Sequence, residues 1–145
     1  MISIIESKCF ISQCKEYRWN LNLRISTEGK KIVFIGLNPS HSDGDFVDNT
    51  TKKILNICSN NYYGEISIIN IFSLISRSPK NLLFHKDPIG YLNNNIMQRS
   101  LKDWSEDNKC DIWLGWGNNG NFYRRSIEVY ELIMIYFNIK KGNFK

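Results

Sequence analysis

Lys31 to Ser40 reads KIVFIGLNPS, and this stretch decides the fold. Ile32 to Leu37 is a continuous apolar run. Such a run suits a β-strand covered on both faces, as in the interior of a parallel sheet. Asn38 to Asp48 is rich in Asn, Pro, Ser, Asp and Gly, so the strand must empty into a polar loop. A buried strand that ends in a polar loop is a natural wall for a small-molecule or nucleobase site.

The pattern extends in both directions. Before the strand, Tyr17 to Ser26 alternates in polarity and suits another strand, with Glu28, Gly29 and Lys30 as the turn between them. After the loop, Asn49 to Asn60 has helical spacing. Ile54, Ile57 and Cys58 share one face there, and Asp48 or Asn49 serves as N-cap. Ile66 to Phe72, ISIINIF, is a second buried strand. Ser76 to Leu83 is loop and short turn. Tyr91 to Asp103 is helical, carrying Leu92, Ile96 and Leu101. Asp111 to Gly115 is a third buried strand, which ends in the loop Trp116 to Asn121. Arg124 to Phe137 is a final helix whose apolar surface comes from Ile127, Tyr130, Leu132, Ile133 and Tyr136. Strands that alternate with helices imply an α/β fold: a mostly parallel central sheet in a three-layer sandwich.

The 145 residues fit one domain with a real core. Hydrophobic residues at 42% and charged residues at 23% exclude a disordered body. A net charge of +5 permits a polyanionic partner such as DNA or a nucleotide without demanding one. No apolar run reaches the ~18 residues of a membrane span. The N-terminal MISIIESKCF lacks the basic and small-residue marks of a signal peptide. The expectation is a soluble, cytoplasmic protein. Cys9, Cys14, Cys58 and Cys110 lack paired metal-ligand spacing and read as reduced thiols, with a metal site as the alternative. Neither a metal nor a cofactor is expected.

If the three buried strands are parallel and adjacent, Asn38, Asn70 and Asn118 meet at one edge of the sheet. Asn38 offers an amide that can read an amide-like edge or hold a water. Pro39 stiffens the turn beside Ser40. Asn70 stands inside an apolar string, where an amide costs free energy unless the fold or a ligand satisfies it. Trp116, Gly117 and Asn118 open a glycine-containing loop that a ligand could approach closely. Arg77, Arg124 and Arg125 are candidate phosphate contacts, with solvated surface charge as the alternative for each. His41 lies beside the Asn-Pro-Ser turn and is the better placed of the two histidines. Asp43, Asp45 and Asp48 follow it as turn and cap residues, with a metal site as the alternative.

The chain resembles the bacterial and phage proteins grouped as domain of unknown function 1643. The resemblance is carried by Tyr17-Arg18 with Leu21 and Arg24, by IGLNPS, and by Asp48 and Thr50. It continues in IINIF with Arg77, Pro79 and Leu82, then in DPIG with Asn93 and Asn94, and ends in GWGNNG with Arg124 or Arg125. That family's pattern runs on into a Gly-x-Pro-x-His-Pro-Leu-Tyr-like segment. This sequence stops at Lys145, where that segment would begin.

A more distant resemblance is to the uracil-DNA glycosylase superfamily, whose first motif maps onto Gly36, Leu37, Asn38 and Pro39. It implies a glycosylase-like fold and a water-positioning role for Asn38. It also implies that Phe46 stacks on an extruded base and that Asn70 reads its edge. Asparagine is no general base, and the His-Pro segment is missing. The expectation is therefore a glycosylase-like protein with weak or no catalysis. The alternatives are a non-catalytic nucleotide or nucleic-acid binding module, and a partner-binding protein whose aromatics, 13% of the chain, form an interface.

Overall fold

The computed structural model describes residues 2–40 and 48–144. Among these residues five strands form one sheet. They are β1 (Glu6–Ile11), β2 (Arg18–Arg24), β3 (Lys30–Gly36), β4 (Tyr63–Asn70) and β5 (Cys110–Leu114), in the spatial order β1-β2-β4-β3-β5. Among the described residues four helices accompany them: α1 (Asn49–Asn60), the single turn α2 (Asn81–Phe84), α3 (Asn93–Glu106) and α4 (Arg125–Asn143). A kinked 3-10 segment, Asn118–Arg124, leads into α4.

The sheet is mixed, which corrects the expectation of a mostly parallel one. β3 pairs in parallel with β4 and with β5, whereas β2 pairs antiparallel with both β1 and β4. The N-terminal strand escaped the sequence reading because ESKCFI offers no buried face. Its residues are exposed or half-buried at the sheet edge.

Alternation along the strands separates two cores. Ile32 and Phe34 of β3, Ile66 and Ile68 of β4 and Leu21 and Leu23 of β2 meet Ile54, Leu55 and Cys58 of α1. Val33, Ile35 and Ile69 point the other way. They meet Ile96, Met97 and Leu101 of α3 and Val129 and Ile133 of α4. The chain is thus an α/β assembly with helices on both sides of the sheet. Ile57 faces solvent at 49% exposure, and Leu55 takes the buried place expected of it. Ile127 and Tyr130 are likewise exposed, because α4 is apolar on most sides and its periodicity selects no face. No helix among the described residues is long and apolar enough to cross a membrane.

Asp48 caps α1 by accepting a hydrogen bond from the Thr51 backbone N at 2.8 Å. The carboxyl ends of β3 and β4 lie side by side, with Gly36 directly opposite Asn70.

Candidate functional site

The site begins with an irregularity in β2. Phe10 of β1 pairs with Asn20, but Ile11 pairs with Arg18, so Trp19 is an extra residue in the ladder. A bulge of this kind reverses the alternation beyond it and re-aims a side chain. Trp19 turns into the α3–α4 core and stacks on Tyr17 at 5.2 Å between ring centroids. Arg18 takes the opposite side, the face of Leu21 and Leu23. There it is 93% buried (7% exposed) and lines a cavity. Burial lowers its pKa, while the nearby Cys9 and Asp48 act in the opposite sense. An arginine so perturbed remains a cation at neutral pH.

That cavity, about 250 Å³, lies at the carboxyl ends of β3 and β4 beside the first turn of α1. Its floor depends on missing side chains. A Cβ on Gly36 would stand 2.7 Å from Asn70 Oδ1 and 2.9 Å from the Phe34 ring. A Cβ on Gly115 would collide with the Phe34 ring from the other side. The two glycines leave room for a flat aromatic floor with an amide above it. Asn70 is only 6% exposed. Its backbone O accepts from Asn93 Nδ2 at 2.8 Å. Among the described residues its side-chain amide makes no hydrogen bond; it is a wall of the cavity, open there to solvent. A matched ligand would exchange the water at this amide for its own donor and acceptor.

The rim is tied down by short-range bonds. Asn38 Nδ2 donates to the carbonyls of Ser76 at 2.8 Å, Pro39 at 3.1 Å and Leu74 at 3.3 Å. Ser76 N donates back to Pro39 O at 2.8 Å. The loops after β3 and β4 are thereby laced together, and Arg77 and Pro79 reach the cavity mouth. Ser40 Oγ donates to the Asp48 carboxylate, whose other oxygen caps α1. Thr50 and Thr51 of that first turn complete the lining. The cavity therefore combines an apolar floor, two amides, two arginines and the N-terminus of a helix capped by the Asp48 carboxylate. Among the described residues no group of His, Cys, Asp or Glu could hold a metal ion.

A family model for proteins described as of unknown function, DUF1643, matches residues 18–140. The chain belongs to the DUF1643 family. In this DUF1643 protein the matched segment begins at Arg18 and takes in every described cavity residue. No curated protein and no solved structure matches the chain. None of these comparisons supports the likeness to uracil-DNA glycosylases read from the sequence.

Of the residues singled out in the sequence, Gly36, Leu37, Asn38, Pro39, Ser40, Asn70 and Arg77 line this DUF1643 cavity. His41 and Phe46 lie outside the described residues. The third expected wall is not there. From the GWGNNG loop only Gly115 reaches the cavity. Trp116 packs toward the α3–α4 core, with Gly120 set against its indole, and Gly117 and Asn118 are exposed.

Arg124 is exposed and away from the lining. Arg125 is 2% exposed and works on the opposite side of the sheet. Its Nε donates to Ile71 O at 2.8 Å, and its Nη2 donates to the Oδ1 atoms of Asn93 (2.6 Å) and Asn94 (2.8 Å). Asn93 in turn holds the Asn70 carbonyl. Arg125 thus supports Asn70 from behind instead of meeting a phosphate. The residue the sequence reading missed is Arg18. In the sequence it stood out only within the family resemblance and as a charge inside an otherwise alternating strand.

Proposed function

We propose that the cavity binds the base of a nucleotide, with Asn70 reading the base edge and Arg18 and Arg77 meeting the phosphate. The observation that carries this reading is the Asn70 amide, nearly buried and without a hydrogen bond among the described residues. An amide offers one acceptor and one donor pair, the complement of the amide-like edge of a pyrimidine or purine. Phe34 supplies an apolar plane. The volume lies below the ~300 Å³ at which cavities begin to take drug-sized ligands, which suits a single ring system.

Binding is favoured over hydrolysis by two features of the rim. The Asn38 amide nitrogen is committed to three backbone carbonyls. The Asp48 carboxylate is committed to Ser40 and the α1 cap. Neither is a ready general base. Hydrolysis of an N-glycosidic bond is the second reading. It is favoured by the Gly36-Leu37-Asn38-Pro39 motif standing at the end of a buried strand, and it would use a base extruded from a DNA strand.

Calorimetric titration with the common deoxynucleoside monophosphates at low salt tests the first reading. Saturable binding by wild type that weakens in Asn70→Ala is the expected result. No binding to any of them would overturn it. Incubation with strands carrying uracil or modified pyrimidines tests the second, which expects abasic sites to accumulate.

A further inference from the structure

Beside the cavity mouth lies a surface that the cavity itself does not use. Ser76, Arg77 and Pro79 line the cavity, and α2 follows at once, with Asn81 Nδ2 donating to Ser76 Oγ at 2.9 Å. Phe84, the last residue of α2, is 84% exposed. Tyr123, 53% exposed, is fastened to the same turn by its hydroxyl, which donates to Leu83 O at 2.9 Å. Tyr123 and Arg124 both have left-handed backbone conformations, with φ of 54° and 57°. For side-chain-bearing residues that geometry costs free energy, and such strain concentrates where a surface does work. Tyr91 adds a third exposed ring, linked edge-on through Tyr17 to His85, the residue after Phe84.

Cations outnumber acids on this surface, where Glu16 lies 3.8 Å from His85. Between Arg77 and Tyr91 the cations are Arg77, Lys80 and Lys86. The single acidic residue there, Asp87, accepts a hydrogen bond from Gly90 N at 3.0 Å. Arg124 adds a further positive charge next to Tyr123. Exposed rings interleaved with cations form the stacking platform and electrostatic track that single-stranded nucleic acid uses. A protein partner would be better served by an aliphatic patch, and α2 offers only Leu83 for one.

We infer that the α2 surface, with Phe84, Tyr91 and Tyr123 as stacking rings and Arg77, Lys80 and Arg124 as phosphate contacts, binds single-stranded nucleic acid. The inference deepens the cavity reading and rests on it only for the destination of one base. The strand runs over α2, and Arg77 marks where a base leaves it for the cavity.

The test is fluorescence anisotropy of a short labelled oligothymidylate with the full chain. Wild type is expected to bind, and affinity should fall with salt at roughly 0.7 log units per log unit for each phosphate contacted. Phe84→Ala should weaken binding about 5-fold or more, as loss of one stacked base does. Lys80→Glu should weaken it too and lower the salt slope. Both residues are exposed, so unchanged circular dichroism melts are expected of both variants. No oligonucleotide binding, or binding indifferent to both substitutions, overturns the inference whatever the monophosphates do. Oligonucleotide binding that needs Phe84, in a protein that ignores monophosphates, supports this surface and overturns the cavity reading.

Discussion

Arg18 stands on the same face of the sheet as Leu21, three residues further along β2. In a regular strand residues two apart share a face, so Arg18 would belong with Asn20. The extra residue, Trp19, reverses the order and sends the guanidinium to the cavity while its own indole fills the opposite core. A buried cation is costly to place, and here one backbone irregularity places it at the cavity and shields it from bulk water.

If Arg18 meets phosphate, Arg18→Met removes that contact and keeps the side-chain length. A hydrogen bond to a charged group contributes about 1.5–3 kcal/mol. Affinity for a deoxynucleoside monophosphate should then fall roughly 10- to 100-fold, while affinity for the corresponding nucleoside stays within a few-fold. Calorimetry on both ligands measures the contrast. Equal losses for nucleoside and monophosphate would remove the phosphate role from Arg18.

Gly36 has little tolerance for a side chain. A Cβ there meets Asn70 Oδ1 at 2.7 Å and Phe34 at 2.9 Å, and both neighbours are buried. Gly36→Ala should destabilise the fold by about 1–3 kcal/mol, the usual cost of overpacking, and displace Asn70. Urea unfolding reads the first effect. Weakened monophosphate binding, in a protein still folded at low urea, reads the second.

Arg125 and Asn93 act behind the site. Removing the guanidinium in Arg125→Met leaves the carbonyl of Ile71 and the amide of Asn93 without their charged donor. A loss of at least about 1.5–3 kcal/mol in unfolding free energy is expected. The salt dependence of oligonucleotide binding should be unchanged, because Arg125 touches no phosphate on this account. A shallower salt slope in the variant would restore the phosphate role read from the sequence.

Two buried thiols make the fold sensitive to alkali. Burial raises the pKa of Cys58 and of Cys110 from 9.0 to about 11. The folded state therefore holds its thiol protons where the unfolded chain has lost them. The resulting stability is fully present below pH 9 and drains away as pH rises through about 11. The urea midpoint should fall across that window. Cys58→Ala and Cys110→Ala should each flatten the fall, at some cost in packing. Alkylation of either thiol at neutral pH should be slow in the native protein. A wild-type midpoint that is level from pH 9 to 11 would contradict the assignment.

Much of this architecture was legible in the sequence. The apolar run from Ile32 and the polar residues after Gly36 mark a covered strand and its loop, and these lie where β3 and the cavity rim are found. Helix α1 spans the residues its periodicity and cap predict, Asn49–Asn60. Asn38 and Asn70 line one cavity because β3 and β4 are parallel neighbours. What was not legible depends on partners distant in sequence. β1 has no hydrophobic pattern of its own and exists because β2 offers it an edge. The bulge at Trp19 is a property of the pair, not of either strand. Arg125 and Arg77 read alike as isolated arginines. Only the packing of α4 on α3 assigns the first to the scaffold and leaves the second at the cavity mouth.

If the Asn70 amide reads a base, its own signals must respond to one. Its side-chain amide protons give a resolvable pair of signals in a nitrogen-15 correlation spectrum, assignable by loss in Asn70→Asp. On titration with a deoxynucleoside monophosphate at low salt, that pair should shift saturably and be among the most displaced signals in the protein. If the pair stays in place while other signals saturate, or if no signal moves with any base, Asn70 does not read a base.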